Sequence, residues 1–431
     1  MSVAYDKKRL FWTSSLALCM SGIANALRAN AAADLQRVYL DPIDKLHSAE
    51  MIGTVLGVPF LAFAITIAVS SPLLDIIGMG MLLPLAAILV SAGMLLMGFA
   101  GEIATGQGAY NVLWIGAAIA GAGWGLTETV MNPLIAALYP DQKTAKLNSA
   151  HAWWPGGLVI GGLLGVAMSN MQFGFQMKLG LVVLPAIVVL AMSLGVKYPP
   201  TERAAAGLST GSMFKELLNP MFLVLFLSMF LTAASELAPG QWVDLALSRT
   251  VGMPGILLLV YVSGLMFLMR HFAGPLVHKL SPIGVLWFSS LGAALGLVAL
   301  SYANSPAMGL LAATLWGTGV CYMWPTMLAT ASERFPRGGA LLMGLMGTAG
   351  TLSIQFVLPG MGSIYDNAKI ELAGGEAAFD ALQGDALNNV LGEAAQQSFR
   401  AVAILPAVLL VVFGAIWLYD RSKGGFKPTK I

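Results

Sequence analysis

Apolar residues recur along this chain in runs of about 20, the length of helix that crosses the ~30 Å hydrocarbon layer of a bilayer. Twelve runs of this kind fall at 10–34, 51–70, 79–100, 110–138, 144–169, 178–196, 220–246, 254–270, 284–303, 307–331, 339–364 and 399–419. The pattern predicts an all-α polytopic membrane protein of twelve transmembrane helices. An even number of spans puts both termini on one side. That side carries Lys7, Lys8, Arg9, Lys143, Lys146, Arg203, Arg334, Arg421 and most of the other basic residues, against a handful such as Arg37 and Lys178 on the other. By the positive-inside rule both termini are cytoplasmic, with a bacterial inner (plasma) membrane as the expected setting. The longest polar stretch on that side, 197–219, contains Pro199-Pro200 and a Gly-Leu-Ser-Thr-Gly-Ser run. It divides the chain into a six-helix bundle at 1–196 and a second at 220–431. On the opposite side, the acidic segment Asp366 to Ser398 reads either as a short surface helix or as mobile chain.

Composition agrees, because 57% hydrophobic and 10% charged residues do not describe a soluble globular protein. The run after Lys7-Lys8-Arg9 lacks a small-residue cleavage site, so the first helix is expected to be retained. A net charge of +2 gives no reason to invoke nucleic acid. Cys19 and Cys321 lie within apolar runs, so neither a disulfide nor a metal site is expected. No Walker sequence, His/Cys cluster or Gly-x-Ser-x-Gly nucleophile appears, which argues against an enzyme and against a cofactor.

Polar groups inside the spans carry the candidate chemistry, since a charge at that depth is costly unless partnered or hydrated. Glu128 stands out, set among apolar residues from Trp124 to Pro133. At helical spacing Trp124, Glu128 and Asn132 share one face, as do Asn25 and Arg28 on the first helix and Asn148 and His151 on the fifth. These faces should line a central cavity. Arg28 should need a carboxylate within a few ångströms, with Glu128 and Glu236 the best-placed. Glu236 precedes Pro239-Gly240-Gln241-Trp242, where a helix break would leave carbonyls facing a cavity. Trp316, Tyr322, Trp324 and Gln355 add aromatic and amide groups on the tenth and eleventh helices. Carboxylates, amides and aromatic rings suit a sugar, whose hydroxyls take hydrogen bonds while its apolar face meets an indole. The indoles at 124, 316 and 324 read equally as packing. Trp12 and Trp417 are interface anchors, and Trp153 and Trp154 pack near the end of the fourth helix. Glycine stripes at Gly157, Gly161 and Gly165, and at Gly344, Gly347 and Gly350, would let helices approach closely.

Two short segments are similar to each other. Ser71-Pro-Leu-Leu-Asp75-Ile-Ile-Gly78 follows the second helix, and Arg270-His-Phe-Ala-Gly274-Pro-Leu-Val-His278-Lys279 follows the eighth. Both resemble the Gly-x-Leu-x-Asp-Arg-x-Gly-Arg loop of the major facilitator superfamily, with Met79 and Gly80 where basic residues are usual. The resemblance implies a conformational latch involving Asp75, Arg270, Gly274 and His278. In the fourth and fifth helices, Thr127-Glu128-Thr-Val-Met-Asn132-Pro133 and Leu147-Asn148-Ser-Ala150-His151 resemble segments of the fucose permease branch, which are proton-coupled sugar symporters. Gly22-Ile-Ala-Asn25-Ala-Leu27-Arg28-Ala29 is similar to that branch's first-helix pattern, except that Ala29 replaces the coupling Asp and Arg28 a neutral Asn. The resemblance implies a monomeric secondary transporter of a small-molecule substrate, most plausibly a sugar, coupled to protons through Glu128 and bathed in membrane lipid. If coupling runs through Glu128, Glu236 or His151, transport should follow a titration between about pH 5 and 8. An uncoupled facilitator or exporter of an amphipathic or anionic solute, with Arg28 as counter-charge, is the alternative.

Overall fold

The computed structural model describes residues 5–44, 47–250 and 255–431, with the side chains of 49, 241–250, 255, 256 and 358 outside that description. Among these residues the chain is helical, with no strand. The spans are α1 (Lys7–Leu40), α2 (Ser48–Ile77), α3 (Met79–Gly98), α4 (Gln107–Leu138), α5 (Lys143–Asn170) and α6 (Phe175–Ser193). They continue as α7 (Pro220–Thr250), α8 (Gly255–Arg270), α9 (Ala273–Leu300), α10 (Pro306–Arg334), α11 (Gly339–Ala373) and α12 (Gly384–Ser422). Eleven are long and apolar enough to cross a membrane, and the shorter Leu257–Arg270 is the apolar part of α8. Large hydrophobic side chains such as Ile65, Val69, Leu163, Val166 and Val411 are exposed on them, the outward apolar surface a lipid environment requires.

Packing divides the chain into two compact units. One contains Met1–Asn219, Ala331–Thr348 and Thr429–Ile431, and the other Pro220–Thr330 and Ala349–Pro428. Within the first, α5 lies against α1 through its glycine stripe. A Cβ at Gly157 would strike the Cys19 carbonyl, and one at Gly161 would sit 2.8 Å from the Ile23 carbonyl. Backbone approach this close is open only to glycine.

The two related loop segments adopt a shared backbone device. At the end of α2, Gly78 turns the chain with φ 94°. With Gly274 of the second copy aligned on Ser71 of the first, Ser281 falls opposite Gly78; it has φ 63° and ψ 163° and kinks α9 just before Pro282. The sequence places the start of that span at 284, whereas helix already runs from Ala273. Residues 273–280 form a helical segment before the kink, because a left-handed residue re-aims a helix without a long loop. Gly80, where the family's basic residue is usual, lies under Tyr198. A Cβ there would be 3.1 Å from the Tyr198 ring, and burial holds the Tyr198 phenol up to about 12.

One further expectation is corrected. Pro239 does not break α7, which continues to Thr250; a single missing N–H is tolerated when the rest of the ladder persists. The acidic segment 366–398 is largely helical, with the end of α11, a turn of helix at Glu376–Asp380, and Gly384–Val402 leading into α12.

Candidate functional site

In the first unit α4 carries the site. Glu128 is 4% exposed, and the i,i+4 spacing read from sequence brings Asn132 Nδ2 to 2.7 Å from its Oε2. The same amide nitrogen donates to the Glu128 carbonyl at 3.0 Å. With the nitrogen committed to the carboxylate, Asn132 Oδ1 must accept, and His151 Nε2 lies 2.9 Å from it. The ring therefore carries its proton on Nε2 in this arrangement. His151 Nε2 is also 3.7 Å from Glu128 Oε2. Carboxylate, amide and imidazole thus form one buried cluster joining α4 to α5. Asn148, fully buried on the same face of α5, donates to the Thr144 carbonyl at 2.9 Å.

One turn before Glu128, Trp124 is half-buried and stacks on Trp154 with ring centroids 4.5 Å apart and planes 11° from parallel. Phe63 packs at 4.4 Å. The Trp124 ring and the polar side of α1 border one cavity, lined by Ser21, Asn25, Arg28, Pro59, Gly121 and Trp124. Arg28 is 5% exposed, and its Nη2 donates to Asn25 Oδ1 at 2.6 Å. The expected ion pair with Glu128 or Glu236 is absent among the described residues. Glu128 is turned toward Asn132 and His151, and Glu236 is engaged elsewhere.

In the second unit Glu236 Oε1 meets Arg270 Nη2 at 2.6 Å, both side chains deeply buried. Arg270 Nε donates to the Cys321 carbonyl at 2.6 Å, and the Trp324 backbone N–H donates to Glu236 Oε2 at 3.2 Å. These two backbone groups flank a break in α10, whose halves are Pro306–Val320 and Met323–Arg334. Arg270, read from sequence as part of a latch loop, is instead a buried capping group. Tyr322 donates its hydroxyl to the Met269 carbonyl at 2.9 Å and Trp316 its Nε1 to the Ser235 carbonyl at 3.1 Å. Both are anchored inside this unit, and the Trp324 ring packs where a Cβ on Gly350 would fall. Gln355 is exposed on α11, Gln241 has its side chain outside the described residues, and Gly274 and exposed His278 lie in the segment before the Ser281 kink.

Sequence reading missed the partners of Asp75. Its carboxylate pairs with Arg203 of the linker and accepts from Thr201 Oγ1 at 2.8 and 3.0 Å. Beside it Lys143 Nζ meets Glu202 Oε2 at 2.6 Å, and Thr144 Oγ1 donates to Glu333 Oε1 at 2.6 Å. The Thr201-Glu-Arg203 triplet, a helix cap with alternating charge, was the available signal.

Residues 10–357 match the family model described as Major Facilitator Superfamily. No curated protein sequence matches the chain. Among solved structures the chain is similar to the transporter FucP in its outward conformation, at 16% identity and a TM-score of 0.67, covering 93% of this chain and 98% of that one. It is also similar to the proton:xylose symporter XylE, at 15% identity, a TM-score of 0.71 and coverage of 95% and 99%. The human organic anion transporter TETRAN aligns at 15% identity with a TM-score of 0.70, covering 95% and 100%. Likeness at these identities establishes the shared fold.

Proposed function

Because this chain belongs to the major facilitator superfamily, we propose that it is a secondary transporter moving a small polar solute by alternating access, coupled to protons through Glu128. One observation supports the coupling: a carboxylate and an imidazole, Glu128 and His151, stand 3.7 Å apart in a buried cluster bridged by Asn132. A proton added to His151 enters at Nδ1 and leaves the Nε2–H bond to Asn132 in place, but it makes the ring a cation 3.7 Å from the Glu128 carboxylate. Protonating Glu128 removes the negative charge that faces His151 and turns the charge-assisted bond from Asn132 into a weaker neutral one, which loosens the α4 to α5 bridge. Protonation is thereby tied to the relation between two helices, which is what coupling requires. The amide and indoles beside this cluster, Asn132, Trp124 and Trp154, suit a sugar.

The test is uptake into proteoliposomes with an imposed proton gradient. Glu128→Gln should lose uphill accumulation while keeping solute counterflow, because a fixed amide can still hydrogen-bond solute and cannot carry a proton. Wild-type transport insensitive to a protonophore, together with unchanged accumulation in Glu128→Gln, would leave an uncoupled facilitator as the function.

A further inference from the structure

We propose that the cavity bordered by Arg28 and Trp124 is an anion subsite, which takes the carboxylate of a sugar acid. The proposal deepens the transport reading, on which it rests only for the solute's being cargo.

Arg28 lies within a membrane-spanning helix and is 5% exposed. Its one hydrogen bond among the described residues goes to a neutral amide oxygen, and Nε is buried with no partner. A guanidinium has five N–H donors in a planar fork that matches a carboxylate. A charge kept in this position is stabilised when a counter-charge arrives. Trp124, which lines the same cavity, carries a second unsatisfied donor, its Nε1, also buried without a partner. Ser21 Oγ donates to the Ala17 carbonyl at 3.0 Å, so it offers the cavity lone pairs that accept from a hydroxyl.

These three groups specify the ligand's chemistry. Arg28 is the sole cation among the residues that line the cavity, so it balances one negative charge and favours a monocarboxylate over a phosphate dianion. Trp124 Nε1 and Ser21 Oγ, a donor and an acceptor, suit hydroxyl groups next to that carboxylate. A polyhydroxy acid meets all three requirements, whereas a neutral sugar leaves the guanidinium without its counter-charge.

The test is binding to the full-length protein in detergent, read by tryptophan fluorescence and thermal shift. The probes are glucuronate, galacturonate and gluconate, set against glucose, galactose and glucose 6-phosphate. At least one acid should bind ten-fold or more tighter than its neutral counterpart and than the phosphate. Arg28→Gln should abolish that preference, and Arg28→Lys should retain part of it. Equal binding of acid and neutral sugar, binding of neither, or an unchanged preference in Arg28→Gln would overturn the proposal. If Arg28→Gln fails to fold, the wild-type comparison of acid with neutral sugar decides. Arg28-dependent binding of an acid that proteoliposomes do not take up would refute the transport reading and leave the subsite standing.

Discussion

Glu236 and Arg270 form a buried ion pair at 2.6 Å whose remaining valences close both sides of the break in α10. Arg270 Nε takes the Cys321 carbonyl, and Glu236 Oε2 takes the Trp324 N–H. A helix interrupted inside a membrane leaves backbone groups with no water to turn to. The pair supplies the missing donor and acceptor, and this offsets much of the desolvation that makes an ordinary buried ion pair a poor source of stability.

Glu236→Ala and Arg270→Ala should each destabilise by about 3–5 kcal/mol, since each strands a buried charge and a backbone group. Glu236→Gln should cost less, because its amide oxygen still accepts from Trp324. The double substitution to Leu should remain unstable, unlike an ion pair that only bridges side chains. Melting of the four variants in detergent checks this, and a double-Leu protein as stable as wild type would refute the capping role.

Asp75 holds the linker to the end of α2 through Arg203 and Thr201. Asp75→Asn should leave the buried Arg203 without its charge partner, at a cost of about 2 kcal/mol once partial exposure of the carboxylate is allowed for. Limited proteolysis within 197–219 should accelerate in Asp75→Asn, and the exchange Asp75→Arg with Arg203→Asp should slow it again. Equal cleavage rates in all three proteins would remove the linker from this role.

Ser281 occupies a left-handed conformation, at φ 63°, that glycine adopts at the equivalent position 78. Replacing Ser281 by Gly should relieve strain of about 1 kcal/mol, less the Ser281 Oγ bond to the Gly284 N–H at 3.3 Å. The melting temperature should rise or stay level. A fall of several degrees would mean that the serine hydroxyl outweighs the backbone cost.

Gly157→Leu should separate α1 from α5, because its Cβ alone already collides with the Cys19 backbone. We expect loss of folded protein on size-exclusion chromatography, while substitution at Gly162, where a Cβ meets nothing within 4 Å, should be neutral.

His47 lies in the exposed connection before α2, with Nδ1 2.6 Å from Asp44 Oδ2. The hydrogen bond to Asp44, and then its charge, raise the imidazole above its ordinary 6.5. A folded-state value above the unfolded one stabilises the fold fully below the unfolded pKa and ceases to do so as pH rises through the folded one. The difference in melting temperature between wild type and His47→Gln should therefore be greatest near pH 6 and disappear in alkaline buffer. A difference that grows with pH would reverse the assignment.

The chain itself carried the number and approximate placement of the spans, because about 20 apolar residues is a length the bilayer imposes on any helix. It also determined the neighbours along one helix face, so Glu128 with Asn132 and Asn25 with Arg28 were legible from spacing. The paired loops at 71–78 and 270–279 were legible as a repeat for the same reason, because a turn leaves a local signature, whereas the kink at Ser281 lies just beyond the second segment. Partners across helices emerge only once the helices are packed. Which carboxylate meets Arg270, what Asp75 holds, and that Arg28 meets none among the described residues all depend on how helices distant in sequence are rotated against one another. Side-chain packing and glycine contacts set that rotation, and hydrophobicity averaged along a span carries no record of it.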